Sequence, residues 1–345
     1  MSDGARTTRP ALEFRDLAVR FPRRGAEIAA VNGVSFTLAE GEVLTILGES
    51  GSGKSVSLRA AMRLLPATAR LSGGISLHGQ DLLALSEPAL ARLRGREIAM
   101  IFQEPVTALD PVYAIGEQIA ETIVKHEAVD RRTANARALD LFERVRIPSA
   151  SRRLKNYPHE LSGGMRQRAM IALALACSPS VLLADEPTTA LDVTVQIQIL
   201  LLLRQLQAEL GMAIVFVTHD VGVAAEISDR VAVMYAGRFV EEGRARQVLG
   251  APRHPYTEGL LASRVHGGLR GQNLETIPGN PPDPANLSTG CAFLPRCRYA
   301  MQRCTEPDTP IARPDEESMV RCVRVAASRA APSDASSDGA GAGSS

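Results

Sequence analysis

An α/β fold is what this 345-residue chain predicts, and three observations predict it. Short apolar runs alternate with stretches of helical periodicity, the pattern of a sheet covered on both faces. A glycine-rich loop, Gly48-Glu49-Ser50-Gly51-Ser52-Gly53-Lys54-Ser55, joins the apolar run 43–47 to a helix-like run over 55–65. A long stretch with helical period and scattered charges, 116–146 and again 161–177, interrupts the alternation as a helical insertion.

Taken in order, residues 1–10 have no apolar core and read as a disordered start, not a secretory signal. Residues 12–38 alternate apolar and polar between turn residues, as antiparallel strands do, with Phe21 closing the first. Residues 74–83 read as a further strand and turn. The run 98–102 is apolar throughout, as in a buried parallel strand, and stops at Gln103. The helical insertion spans about 105–178. Two more apolar strands, 181–184 and 213–217, flank a long helix over 194–210. Beyond Pro252 the aliphatic periodicity fades, and four of the five cysteines appear. The organisation expected is a main domain over 11–250, a smaller extension over 251–325, and a disordered Ala/Ser/Gly/Asp tail over 326–345.

Composition narrows the function. A net charge of +1 gives no electrostatic support for nucleic-acid or membrane-surface binding. No apolar run approaches the ~18 residues that a spanning helix needs. A cytoplasmic location is expected, with any membrane part supplied by other chains.

The chemistry starts at the loop. Gly48, Gly51 and Gly53 let backbone N–H groups curl inward as a nest for anionic oxygens, and the next helix adds its positive end. Lys54 can reach the β- and γ-phosphates, and the Ser55 hydroxyl can ligate Mg²⁺. The strand over 181–185 ends in two carboxylates. Asp185 is placed to hold Mg²⁺ through water, and Glu186 to polarise an attacking water as general base. In the string 161–168, Leu-Ser-Gly-Gly-Met-Arg-Gln-Arg, Ser162 can cap a helix, while Gly163 and Gly164 let N–H groups approach an anion closely.

Together with Gln103, the Ala190-Leu191-Asp192 string and His219 after a strand, these motifs resemble the ATP-binding cassette (ABC) family in order and distance. The resemblance covers about residues 12–250. It implies a P-loop NTPase fold with a RecA-like α/β core, an antiparallel β subdomain and a helical subdomain. It also implies an ATPase in which each nucleotide lies between the phosphate loop of one subunit and the Ser162 string of another. Phe21 is placed like the aromatic that stacks on adenine, Gln103 like the glutamine that meets Mg²⁺ or the lytic water. Asp192 lies in the loop that crosses to the second subunit, and His219 matches the histidine that bonds the γ-phosphate.

Three further strings resemble the peptide-importer branch: 103–113, which faces the permeases; His254-Pro255-Tyr256-Thr257; and Ile277-Pro278-Gly279 with 290–297, Gly-Cys-Ala-Phe-Leu-Pro-Arg-Cys. The implied protein is the ATP-hydrolysing subunit of an oligopeptide or dipeptide importer, peripheral to the cytoplasmic face of the membrane. Its implied partners are a second ABC ATPase subunit (a paralogue in the usual heteromeric layout), two membrane permeases and an extracytoplasmic substrate-binding protein. Nickel or glycoside import uses similar machinery. A non-transport ABC ATPase acting on nucleic acid or ribosomes and an ATP-sensing regulatory module are the rivals; the near-neutral charge and intact Glu186 and His219 argue against them.

Cys177 lies in an apolar helix and reads as core. Cys291, Cys297, Cys304 and Cys322 cluster in a chain expected to be cytoplasmic, where disulfides are disfavoured. They point to a metal site, an iron–sulfur cluster or zinc, or else to unligated thiols. Zinc is weakened by the absence of a C-x₂-C spacing. Some peptide-importer members carry a [4Fe–4S] cluster in this extension, and the cysteines match that pattern, so a cluster is the expectation.

Overall fold

The computed structural model describes residues 9–23, 26–104, 108–189, 191–263 and 276–330. Most of the expected disordered start and tail, together with residues 105–107 and Ala190, lie outside them.

Among the described residues, twelve strands form two sheets. The smaller is antiparallel and joins β1 (Leu12–Arg23), β2 (Ala26–Leu38), β4 (Arg70–Leu77) and β5 (Gln80–Asp81) in the order β2-β1-β4-β5. The larger contains β3 (Val43–Leu47), β6 (Ile98–Ile101), β7 (Val181–Asp185), β8 (Ala213–Thr218), β9 (Arg230–Tyr235), β10 (Arg238–Arg244), β11 (Ile311–Ala312) and β12 (Met319–Arg321). Its order is β11-β12-β10-β9-β3-β8-β7-β6. The β9-β3-β8-β7-β6 part is parallel. Every residue of β3, β6, β7 and β8 is buried, which is why these strands read as unbroken apolar runs.

Two cores lie on the faces of this sheet. Thr45 apart, residues 43–46 of β3 divide between them, Leu44 and Ile46 packing beneath the antiparallel sheet and Val43 against the helices, while Leu47 joins a third cluster around Tyr256 and Phe293. The helical insertion is built on the helices Ile115–Glu127, Arg131–Arg144 and Gly163–Ala174. The helix Val193–Leu210 is stopped by Gly211, whose φ of +64° suits glycine alone without strain.

The C-terminal region does not stand apart as a separate layer. Its strands β12 and β11 extend the large sheet from the edge of β10. Its Phe293 packs edge-on to Tyr235 of β9 at 5.3 Å, and Tyr256 meets Tyr235 at 4.5 Å. The backbone N–H of Ala29 in β2 donates to the Pro284 carbonyl, tying the region to the smaller sheet as well. The helix Val323–Ala330 occupies the first five positions of the expected disordered tail. No helix among the described residues is long and apolar enough to cross a membrane.

Candidate functional site

The loop after β3 is shaped by close backbone packing as much as by its freedom to turn. A Cβ on Gly48 would lie 2.3 Å from the Met234 carbonyl oxygen, and one on Gly53, at φ +106°, 2.3 Å from the Ala30 carbonyl oxygen. Both would collide with fixed backbone. Gly51 differs: its φ of +80° needs glycine, yet nothing lies within 4 Å of its Cβ position. The Gly237 N–H donates to the Ser52 carbonyl at 2.9 Å, pinning the loop to the turn between β9 and β10. Lys54 is buried, and its Nζ donates to the Gly48 and Glu49 carbonyls at 2.8 and 2.9 Å. Burial lowers its pKa, opposed by the charges of Glu186, Asp185 and Glu49.

Asp185, at the end of β7, is fully buried, and its Oδ1 accepts a 2.6 Å bond from the Ser55 hydroxyl. Burial raises its pKa, with Ser55 and Arg59 pulling the other way. Its Oδ2 lies 3.9 Å from Arg59 but has no hydrogen-bond partner, and the buried Ser52 hydroxyl also lacks one. Two orphaned oxygen atoms beside an anion nest suit a hard cation and a phosphate.

Glu186 holds a φ of +46°, a left-handed conformation costly for a non-glycine residue, fixed by its N–H donating to Val217 at 3.0 Å. Three donors converge on its Oε2: the Thr189 hydroxyl at 2.9 Å, His219 Nδ1 at 3.1 Å and Gln103 Nε2 at 3.5 Å. An ionised carboxylate only accepts, so in this contact the His219 proton resides on Nδ1.

The other predicted residues lie elsewhere. Ser162 caps the helix Gly163–Ala174 through a long bond from Met165 N–H and is exposed. Asp192 caps the helix Val193–Leu210, accepting from Val195 N–H at 2.9 Å. The two caps are neighbours: a Cβ on Gly164 would sit 2.9 Å from Val195, and one on Gly163 3.9 Å from Leu191. Phe21 lies near the end of β1 opposite Ile28, half-buried against the core under the antiparallel sheet. Ser50 and Glu49 face the C-terminal region across a small cavity lined also by Pro281, Pro282 and Pro284. Sequence reasoning missed Thr189 and Arg59. Thr189 lies three residues after Glu186, and only the turn between them brings its hydroxyl back.

Comparison with known proteins decides the family. The ABC transporter family model matches residues 31–189, and the model for the oligopeptide/dipeptide transporter C-terminal region matches 240–304. The chain is 50% identical to a Brucella ovis protein provisionally named a peptide import ATP-binding protein, over 91% of this chain and 97% of that one. The chain belongs to the ABC transporter family. It is also 48% identical to the oligopeptide transport ATP-binding protein OppD of Bacillus subtilis, over 90% of this chain and 87% of that one. Among solved structures it resembles the ABC cassette MJ0796, a dimer in a post-hydrolysis state bound to ADP and Pi. That likeness has a TM-score of 0.62 and 30% identity, covering 68% of this chain and 99% of the other.

One expectation is overturned. Cys291, Cys297, Cys304 and Cys322 do line one cavity, with Phe293, Leu294 and Met301. Among the described residues, however, no three or more His, Cys, Asp or Glu side chains form a group able to hold a metal ion, so neither the [4Fe–4S] cluster nor zinc is supported. The families matched are described by transport alone. Burial pushes the Cys291 thiol up to about 11 and raises that of Cys297, which favours neutral thiols over thiolate ligands. Cys291 and Cys297 pack as small apolar groups against the core around Tyr256 and Phe293. Cys177 is buried in the core between sheet and helices.

Proposed function

We propose that this ABC protein hydrolyses ATP to power the import of oligopeptides or dipeptides through a membrane transporter. The observation that carries the proposal is the gathering of Gln103, Thr189 and His219 on one oxygen of Glu186, next to the Lys54–Ser55–Asp185 cluster. Saturating Oε2 with three donors fixes the carboxylate and leaves Oε1 to take a proton from water as that water attacks the γ-phosphorus. The bond to the β–γ bridging oxygen breaks, and ADP departs. Lys54 and the N–H groups of 48–55 hold the phosphates, Phe21 stacks on the adenine, and His219 bonds the γ-phosphate. Ser55 and Asp185, with Gln103 beside them, would hold Mg²⁺, which would supply positive charge to offset that of the phosphates.

Ser162, Gly163, Gly164 and Asp192 serve a nucleotide on a second ABC subunit, a paralogue of this one in a heteromeric complex. Residues 11–250 form the cassette and 251–325 the extension. The exposed Val112 and Tyr113 offer an apolar contact for two membrane permeases, which holds the chain at the cytoplasmic face of the membrane. An extracytoplasmic binding protein selects the peptide.

Glu186→Gln tests the chemistry. It keeps the shape but removes the base, so ATP turnover should fall ~10²–10⁴-fold while ATP still binds. Near-normal turnover would refute the assignment.

A further inference from the structure

Every polar group of Glu49, the second residue of the phosphate loop, is occupied. Its carbonyl takes a bond from Lys54, within the loop itself. Its other two groups are held by the C-terminal region. The Glu49 N–H donates to the Tyr256 hydroxyl at 2.9 Å, and its carboxylate accepts two bonds from Arg296, at 2.8 and 3.0 Å. The Arg296 side chain is only 5% exposed and crosses 247 residues of sequence to reach this partner. It is itself aimed by neighbours, its Nε donating to the Pro278 carbonyl at 2.9 Å and its guanidinium lying over Tyr235. The hydrogen bonds to Glu49 hold the Arg296 pKa above the ordinary arginine value. Tyr256 is buried and set by the turn that precedes it, where Glu241 accepts from the N–H groups of Arg253 and His254. The strings containing Tyr256, Pro278 and Arg296 therefore converge on one loop residue.

This carboxylate stands in the loop that must hold a triphosphate. Left bare, it would repel that ligand, whereas a forked, nearly buried guanidinium neutralises it and fixes its direction. We propose that Arg296, supported by Tyr256, is a positioning residue for nucleotide binding, so that the C-terminal region helps set ATP affinity at the phosphate loop. The proposal rests on the ATPase reading above and adds to it a part of the site outside the cassette.

The test is ATP affinity and turnover of the full-length chain carrying Arg296→Gln, Glu49→Gln or both. Arg296→Gln should weaken ATP binding about tenfold, the scale of one screened charge contact, with a much smaller change in kcat. Adding Glu49→Gln should restore most of the lost affinity, because the uncompensated charge is then gone. Unchanged affinity in Arg296→Gln would overturn the proposal. So would equal weakness of the single and double variants, since a merely structural role gives no rescue. Should Arg296→Gln fail to fold, Arg296→Lys keeps the charge and loses the fork, and a two- to threefold loss is expected; none would again overturn the proposal. Failure of the unaltered chain to bind ATP would instead bring down the ATPase reading itself.

Discussion

The phosphate loop and the Ser162 helix start are both glycine-containing N-termini suited to phosphate, yet they are built in opposite ways. The loop is braced from several sides before any ligand arrives: by Met234 and Ala30 backbone against its glycines, by Gly237 on Ser52, and by Tyr256 and Arg296 on Glu49. The helix start has a single long cap bond and an exposed serine, with Leu191 and Val195 behind it. In the proposed function, the loop that first grips the triphosphate is fixed in advance, whereas the surface proposed to complete another subunit's cage stays open to it. Preorganisation is concentrated where it lowers the cost of binding.

The sharpest way to break this contrast is to remove one group from each side. Lys54→Ala should reduce the ATP affinity of the isolated chain by about 10²-fold, the loss of charge-assisted bonds to phosphate. Ser162→Ala should leave that affinity alone and lower turnover only in the assembled complex. Equal losses in the isolated chain would erase the distinction.

A second comparison uses stability. Gly53→Ala drives a Cβ into the Ala30 carbonyl and strains φ, so a destabilisation of about 1–3 kcal/mol or more is expected in thermal or denaturant unfolding. Gly163→Ala meets only Leu191 at van der Waals distance and should change stability far less.

The smallest effect concerns the brace from the C-terminal region. His254 is buried, and its Nδ1 accepts from Tyr256 N–H; burial depresses its pKa to about 3 from an ordinary 6.5. The unfolded chain then binds a proton that the folded chain refuses, so this group costs stability as pH falls from about 6.5 toward 3. Glu241, which accepts from the His254 N–H, has its pKa raised by burial and acts with the opposite sign above its ordinary 4.5. His254→Asn can still cap the helix Pro255–Ala262 and leaves Glu241 in place, so between pH 7 and about 5 its melting temperature should gain on that of the unaltered chain as pH falls. An unchanged slope would exclude His254 as the source.

Much of the catalytic half was legible because its signals are local. The loop lies between a strand and a helix, β7 delivers Asp185 and Glu186 together, and Ser162 announces its helix as a cap. The region after Pro252 was harder to read for physical reasons. Its strands β11 and β12 are two and three residues long, too short for any period to show. Arg296 meets Glu49 across 247 residues, a separation no local pattern encodes. The four late cysteines do line one cavity, but their clustering in the sequence and the family resemblance implied ligands where three of the thiols are partly buried and one is buried.

Hydrogen exchange of backbone amides in the full-length chain without nucleotide tests the central contrast most directly. The amides of Glu49 and Ser52, bonded to Tyr256 and to the Glu49 carbonyl, should be protected, while those of Gly163 and Gly164 exchange rapidly until ATP and a partner subunit are supplied. Comparable exchange at both places would contradict a phosphate loop fixed beforehand and a helix start left open.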